Sequence, residues 1–199
     1  MVPVKSFANA KLRLAPALSP DERRVLARQL ADGVLAAAGE LPSYVVCDDE
    51  EVSAWAKAAG AEVIYTPGLG LSGAVGAAVA ELAKRRFETV LVAHADLAHP
   101  GGLSSVAIDD AVVLVPDLRH DGTNVVSVPA GAGFRFAYGA GSFERHRSEA
   151  TRLRLPCLVV HDRRLAADID VPDDLRFLHA GPIGDSPVRV TRLGERLGS

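Results

Sequence analysis

Residues 88–97, ETVLVAHADL, set the fold class. Val90 to Val92 form a short apolar run, and polarity returns at His94 to Asp96. That pattern predicts a strand buried on both faces that delivers an acidic side chain near its carboxyl end. Similar runs recur at Val2 to Val4, Tyr44 to Cys47, Glu62 to Tyr65, Ala111 to Val115, Asn124 to Val128 and Cys157 to Val160. Helical signals lie between them. Ser19 is a candidate N-cap, Pro20 fits the first helical position, and Glu22 can close a capping box. Val25, Leu26, Leu30, Val34 and Leu35 then recur at helical spacing to about Gly39. Further helices are predicted from Asp48 to Glu51 onward, over 73–86, from Ser142, and over 172–178. Apolar strands alternating with helices predict an α/β, Rossmann-like domain: a mostly parallel sheet with helices on both faces. Ligands of such sheets bind outside the carboxyl ends of the strands. The loops to inspect are therefore 5–18, 66–72, 94–99, 116–123 and 161–170.

With 199 residues, no internal repeat and no low-complexity linker, one domain is expected over 1–180. The tail over 181–199, rich in Gly, Pro and Arg, is expected to be peripheral. A hydrophobic fraction of 48%, a charged fraction of 24% and a net charge of −3 are ordinary for a globular chain. They exclude a surface devoted to nucleic acid or membrane, so any anion site must be local. No apolar run is long enough to cross a bilayer, and no charged-then-apolar leader opens the sequence; a cytoplasmic protein is expected. Cys47 and Cys157 stand apart without a CxxC pair or nearby histidines, which reads as two reduced, buried thiols.

The first loop, VPVKSFANAKLRLAP (2–16), carries Lys5, Lys11 and Arg13 without an acidic residue. Such cations either hold phosphate or simply face solvent. The glycines of a Walker loop and of a dinucleotide fingerprint are missing. Asp96 either holds a hard cation such as Mg²⁺ or caps the segment at Pro100. In AADIDVPDDL (166–175), Asp168 and Asp170 fall on one side of an extended segment and need a cation or proton between them. Asp173 and Asp174 suit the cap of the following helix. HDGTN (120–124) and YGAGSFERH (138–146) pair two further turns. Gly139 and Gly141 admit close approach of a ligand to the backbone, Ser142 opens a helix, and Thr123 and Asn124 can add neutral hydrogen bonds. Arg145 and His146, one turn along, are expected to do no more than face solvent.

The order of these motifs is more specific than any one of them. VPVKxxxxAKxRLAP, a GL-rich loop before an alanine-rich helix, ADL, GTN, GxGSFxxH and DIDxPxDL together resemble one family over Val2 to Leu178. It is the guanylyltransferase family that makes the phosphodiester precursor of the deazaflavin coenzyme F-420, the 2-phospho-L-lactate or phosphoenolpyruvate guanylyltransferases. The resemblance implies a single-domain nucleotidyltransferase of the GT-A type. The phosphate of a small three-carbon acid would attack the α-phosphorus of GTP and release pyrophosphate. Carried residue by residue, it implies Asp96 and Asp168 as Mg²⁺ ligands, with Asp170 as a third. Thr123, Gly139 and Ser142, with Asn124 beside them, would bind the phosphorylated acid. Lys5, Lys11 and Arg13 would hold the triphosphate, and Lys11, Arg13 and Asp96 would act on the reacting phosphates. The family usually has a longer first strand, ADLP where Ala98 stands here, and GLN where Ser72 stands, in a loop expected near the base. Alternatives keep the fold and change the acceptor to 3-phosphoglycerate, a sugar phosphate or a molybdopterin. The AGGxGxR loop usual among sugar-phosphate and molybdopterin relatives is absent. A nucleotide-sensing domain without turnover would have been free to lose the three aspartates.

Overall fold

Helix α1 (Pro20–Ala37) starts where its capping signals place it. Ser19 Oγ accepts from the Glu22 N–H, and the Glu22 carboxylate accepts from the Ser19 N–H, so two otherwise orphaned amides are satisfied. Its buried stripe is Ala27, Leu30, Ala31 and Val34, while Val25, expected on that stripe, is exposed. The computed structural model describes residues 1–179 and 188–192. The strands are β1 (Val2–Pro3), β2 (Tyr44–Cys47), β3 (Glu62–Tyr65), β4 (Thr89–Ala93), β5 (Val112–Pro116), β6 (Thr123–Pro129), β7 (Cys157–His161) and β8 (Arg189–Arg192). The other helices are α2 (Glu50–Ala58), α3 (Gly70–Lys84), α4 (Ser142–Arg152), α5 (Arg163–Ala166) and α6 (Arg176–His179). Helix α3 begins three residues before the predicted Gly73. The segment 172–178 is a 3-10 turn (Pro172–Leu175) running into α6.

Strands β3, β2 and β1 pair in parallel. Met1 then joins them to β4: its amino group donates to Leu91 O at 2.8 Å, and the Ala93 N–H donates to Met1 O at 3.1 Å. The second sheet has the order β4-β6-β5-β7-β8. The parallel sheet expected from the sequence describes the first half and the β5–β7 pair. Strand β6, however, runs antiparallel to both β4 and β5, and β8 antiparallel to β7. Only residues 117–122 join β5 to β6, too few for the crossover that a parallel pair requires. Two apolar cores lie on opposite faces. Ala31, Val34, Val52, Trp55 and Leu165, from α1, α2 and α5, belong to one. Val75, Val79, Phe143 and Ala150, from α3 and α4, belong to the other.

The reversed direction of β6 matters for the site. It brings the amino end of β6 alongside the carboxyl end of β4, where the His94 N–H donates to Asn124 O at 2.9 Å. Of the predicted tail over 181–199, residues 189–192 form the edge strand β8; residues 181–187 and 193–199, with residue 180 before them, lie outside the described residues. Both cysteines are buried and free, as expected. Among the described residues no helix is long and apolar enough to cross a membrane.

Candidate active site

A cleft of about 560 Å³ opens at the carboxyl ends of β1, β2 and β4. The first loop forms one wall with Lys5, Ser6, Asn9, Lys11 and Leu12; Gly70, Leu71 and Ala74 of α3 form another. His94 and Asp96 sit at its base, and Asp48 and Thr66 follow β2 and β3. The loop keeps its shape through buried anchors. Phe7 packs edge-on against Trp55 with ring centroids 5.1 Å apart, and Leu14 is fully buried. Lys11 itself adopts a left-handed backbone, φ 57° and ψ 37°, unfavourable by about 1 kcal/mol for a residue with a Cβ. No sequence signal marked that position. It turns the Lys11 ammonium inward.

There the ammonium meets the acidic group. Lys11 Nζ lies 2.6 Å from Asp96 Oδ2 and 3.9 Å from Asp170 Oδ1, and Arg13 donates to Asp170 Oδ2 at 2.9 Å. Two of the three cations read as triphosphate holders are thus paired with two of the predicted metal ligands. Lys5 lines the cleft and is exposed. Asp96 and Asp168 are brought together by backbone pairing: Leu97 bridges Asp168, and the Ile169 N–H donates to Asp96 O. Burial raises the Asp168 carboxyl, and the Asp96 charge raises it further, to about 6; the Asn124 amide, donating at 3.3 Å, opposes this. For Asp96, burial again pushes upward, but Lys11, His94 and local hydrogen bonds outweigh it and hold the group below its usual range. Asp96 Oδ1 is buried without a hydrogen-bond partner.

Carboxylate oxygens are the donors that a hard divalent cation prefers, and the orphaned Asp96 Oδ1 beside a destabilised Asp168 carboxylate leaves negative charge unsatisfied. That chemistry fits Mg²⁺. Among the described residues no three acidic, His or Cys side chains are already gathered to metal-holding distance. The Lys11 ammonium serves as the countercharge of Asp96 in this arrangement.

The second predicted constellation also assembles. Thr123, Asn124 and Ser142 are buried and lie beside the Gly139–Gly141 turn. His146, expected to face solvent, is instead fully buried at the centre of this group. Its Nε2 accepts from the Ala137 N–H at 3.0 Å, so the proton resides on Nδ1, which donates to Thr123 Oγ1 at 3.0 Å. Burial above all, with the neighbouring Arg145 charge, lowers its pKa to about 4 and keeps the ring neutral. Ser142 Oγ reaches Thr123 Oγ1 at 3.5 Å. Ser72 lies in the first turn of α3 rather than in a loop, and its hydroxyl accepts from the Tyr138 N–H at 3.0 Å. It fastens the glycine turn to the helix whose residues Gly70, Leu71 and Ala74 line the cleft. Two further buried polar atoms, His94 Nε2 and Tyr138 Oη, have no partner, and their rings lie 5.1 Å apart.

Comparison with known proteins agrees with this architecture. A family model described as "Guanylyl transferase CofC like" matches residues 1–182. A phosphoenolpyruvate guanylyltransferase of Sphaerobacter thermophilus is 36% identical over 197 residues, covering 94% of this chain and 95% of that protein. One from Streptomyces coelicolor is 34% identical, covering 96% and 93%. A 3-phospho-D-glycerate guanylyltransferase of Phenylobacterium zucineum is 32% identical, covering 94% and 92%. A crystal structure from Desulfovibrio desulfuricans G20, assigned as a nucleotide-diphospho-sugar transferase, superposes with a TM-score of 0.75 at 18% identity. It covers 93% of this chain and 87% of its own, and it supports the GT-A-like fold alone.

Proposed function

Because this chain belongs to the guanylyl transferase CofC-like family, we propose that it joins GMP from GTP to the phosphate of phosphoenolpyruvate, releasing pyrophosphate. The observation that carries the reading is the meeting of three groups at one rim of the sheet: the Lys11/Arg13 loop, the Asp96/Asp168 carboxylates, and the Thr123–Ser142 hydroxyl pair beside the glycine turn, joined to Asp168 through Asn124. A nucleotide triphosphate requires the first and a metal-bound α-phosphate the second. A small second anion requires the third.

In this reading GTP lies in the cleft with its triphosphate along Lys5, Lys11 and Arg13. Leu12 and Leu71, apolar and exposed at the rim, offer faces to the purine. Asp48 on the cleft wall has acceptor oxygens that match the adjacent N–H donors of guanine, which adenine lacks. Asp96 and Asp168, with Asp170 as a third ligand, would hold Mg²⁺, which neutralises charge on the α-phosphate and leaving pyrophosphate. Lys11 exchanges its Asp96 partner for phosphate oxygens when substrate arrives. Thr123, Asn124, Gly139 and Ser142 hold the acid so that a phosphate oxygen faces the α-phosphorus. That oxygen is already ionised at neutral pH, so no general base is required.

The test is pyrophosphate release from GTP and Mg²⁺ with phosphoenolpyruvate, 2-phospho-L-lactate and 3-phosphoglycerate in parallel. Preference for phosphoenolpyruvate is expected; a preference for 3-phosphoglycerate, the acceptor in the name of one relative, would replace the acid and keep the reaction. Absence of release with all three would remove the reading.

A further inference from the structure

We propose that Arg145 is the positioning residue of the acid-binding turn, holding the turn so that its backbone N–H groups face a substrate oxyanion; the inference rests on the acid-binding role proposed above for Gly139. The Arg145 guanidinium collects four consecutive carbonyls. Nε and Nη2 donate to Ala137 O at 3.1 and 2.9 Å, and Nη2 also reaches Tyr138 O at 3.3 Å and Gly139 O at 3.4 Å. Nη1 donates to Ala140 O at 2.6 Å. A guanidinium has five N–H donors in a fixed planar fork, and an ammonium cannot reproduce that span.

The consequence follows from peptide geometry. In a trans peptide the C=O of one residue and the N–H of the next point in opposite directions. Turning the carbonyls of Tyr138, Gly139 and Ala140 toward Arg145 therefore turns the N–H groups of Gly139, Ala140 and Gly141 away from it. The Gly141 N–H is taken by Asp121 Oδ1 at 3.0 Å. Among the described residues the N–H groups of Gly139 and Ala140 have no partner, and both residues are exposed. Two adjacent free donors, held on the side of the turn away from Arg145 and backed by its positive charge, can serve a substrate oxyanion. The turn needs glycine to form: Gly139 and Gly141 have φ of 102° and 70°, and a Cβ at Gly141 would lie 3.2 Å from Arg145 Nη1. Arg145 thus acts through the backbone rather than by touching substrate.

The experiment compares Arg145→Lys and Arg145→Met with the wild-type enzyme. Both are expected to raise the KM for phosphoenolpyruvate about tenfold or more, with kcat at saturating acid and the KM for GTP within about twofold. A general structural defect would instead lower kcat or move both KM values together, and either outcome overturns the assignment. Wild-type KM in Arg145→Lys also overturns it, because charge alone would then suffice. Calorimetric titration with phosphoenolpyruvate reads the clamp without turnover. Weaker acid binding in Arg145→Met supports the clamp even where the acceptor in the reaction proves to be another acid, and unchanged binding refutes it.

Discussion

Asp168→Asn should make the protein more stable and inactive at once. In the folded state burial and the Asp96 charge hold the Asp168 carboxyl at about 6, against 3.8 in the unfolded chain. A carboxyl with a raised folded pKa binds its proton more tightly when folded, so its ionisation opposes folding. The cost is complete above about pH 7, shrinks as pH falls through 6, and vanishes below about pH 4, where both states are protonated. Taken at face value the displacement corresponds to about 3 kcal/mol. The carboxylate retains some solvent, which reduces this to about 1–2 kcal/mol. Asparagine is nearly isosteric, and its amide oxygen can still accept from Asn124 Nδ2, so the change removes charge and little else. At pH 7.5 without added metal, Tm should rise by about 3–6 °C for a chain of this size. By pH 4.5 most of the gain should have disappeared, and at pH 7.5 pyrophosphate release should fall at least about 100-fold. A Tm equal to or below that of wild type at pH 7.5, or a gain of the same size at both pH values, would refute the argument that Asp168 is held in a charge-strained site.

Asp96→Asn should abolish turnover while leaving a folded protein. The Lys11–Asp96 pair has side-chain exposures of 8% and 24%, and Asp170 remains 3.9 Å from Lys11. The loss should therefore be about 1–2 kcal/mol, below the roughly 3–5 of a fully buried pair; thermal unfolding checks the stability, and an active variant would rule out a metal role. Thr123→Ala and Ser142→Ala should each raise the KM for the acid more than that for GTP, and steady-state kinetics with each substrate varied decides this. Thr123→Ala should also cost about 1–2 kcal/mol, because the buried His146 Nδ1–H loses its acceptor.

Elements governed by near neighbours in the chain were legible without coordinates. The Ser19–Glu22 box, the apolar runs of β2, β4, β5 and β7, and the glycine turn before Ser142 depend on residues within a few positions of each other, and they form as read. The acidic and basic loops could be placed at one sheet rim because α/β topology puts strand ends there. The sequence could also carry the identity of the family, because its motifs are spaced along nearly the whole chain. Other features depend on what lies across the molecule. The six-residue link from β5 already requires β6 to run antiparallel to it, but that β6 also pairs with β4 and sets Asn124 beside His94 is decided across the sheet. Nothing local distinguishes a helical His or Arg facing solvent from one facing a neighbouring turn. His146 is buried because Thr123 and Ala137 from other segments close over it, and Arg145 is engaged because the chain before it folds back with its carbonyls exposed. The salt bridges joining Lys11 to Asp96 and Arg13 to Asp170 span 85 and 157 positions. Charge could therefore be read from the sequence, but the partner of each charge was decided by the tertiary fold, since electrostatic energy depends on distance in space and not along the chain.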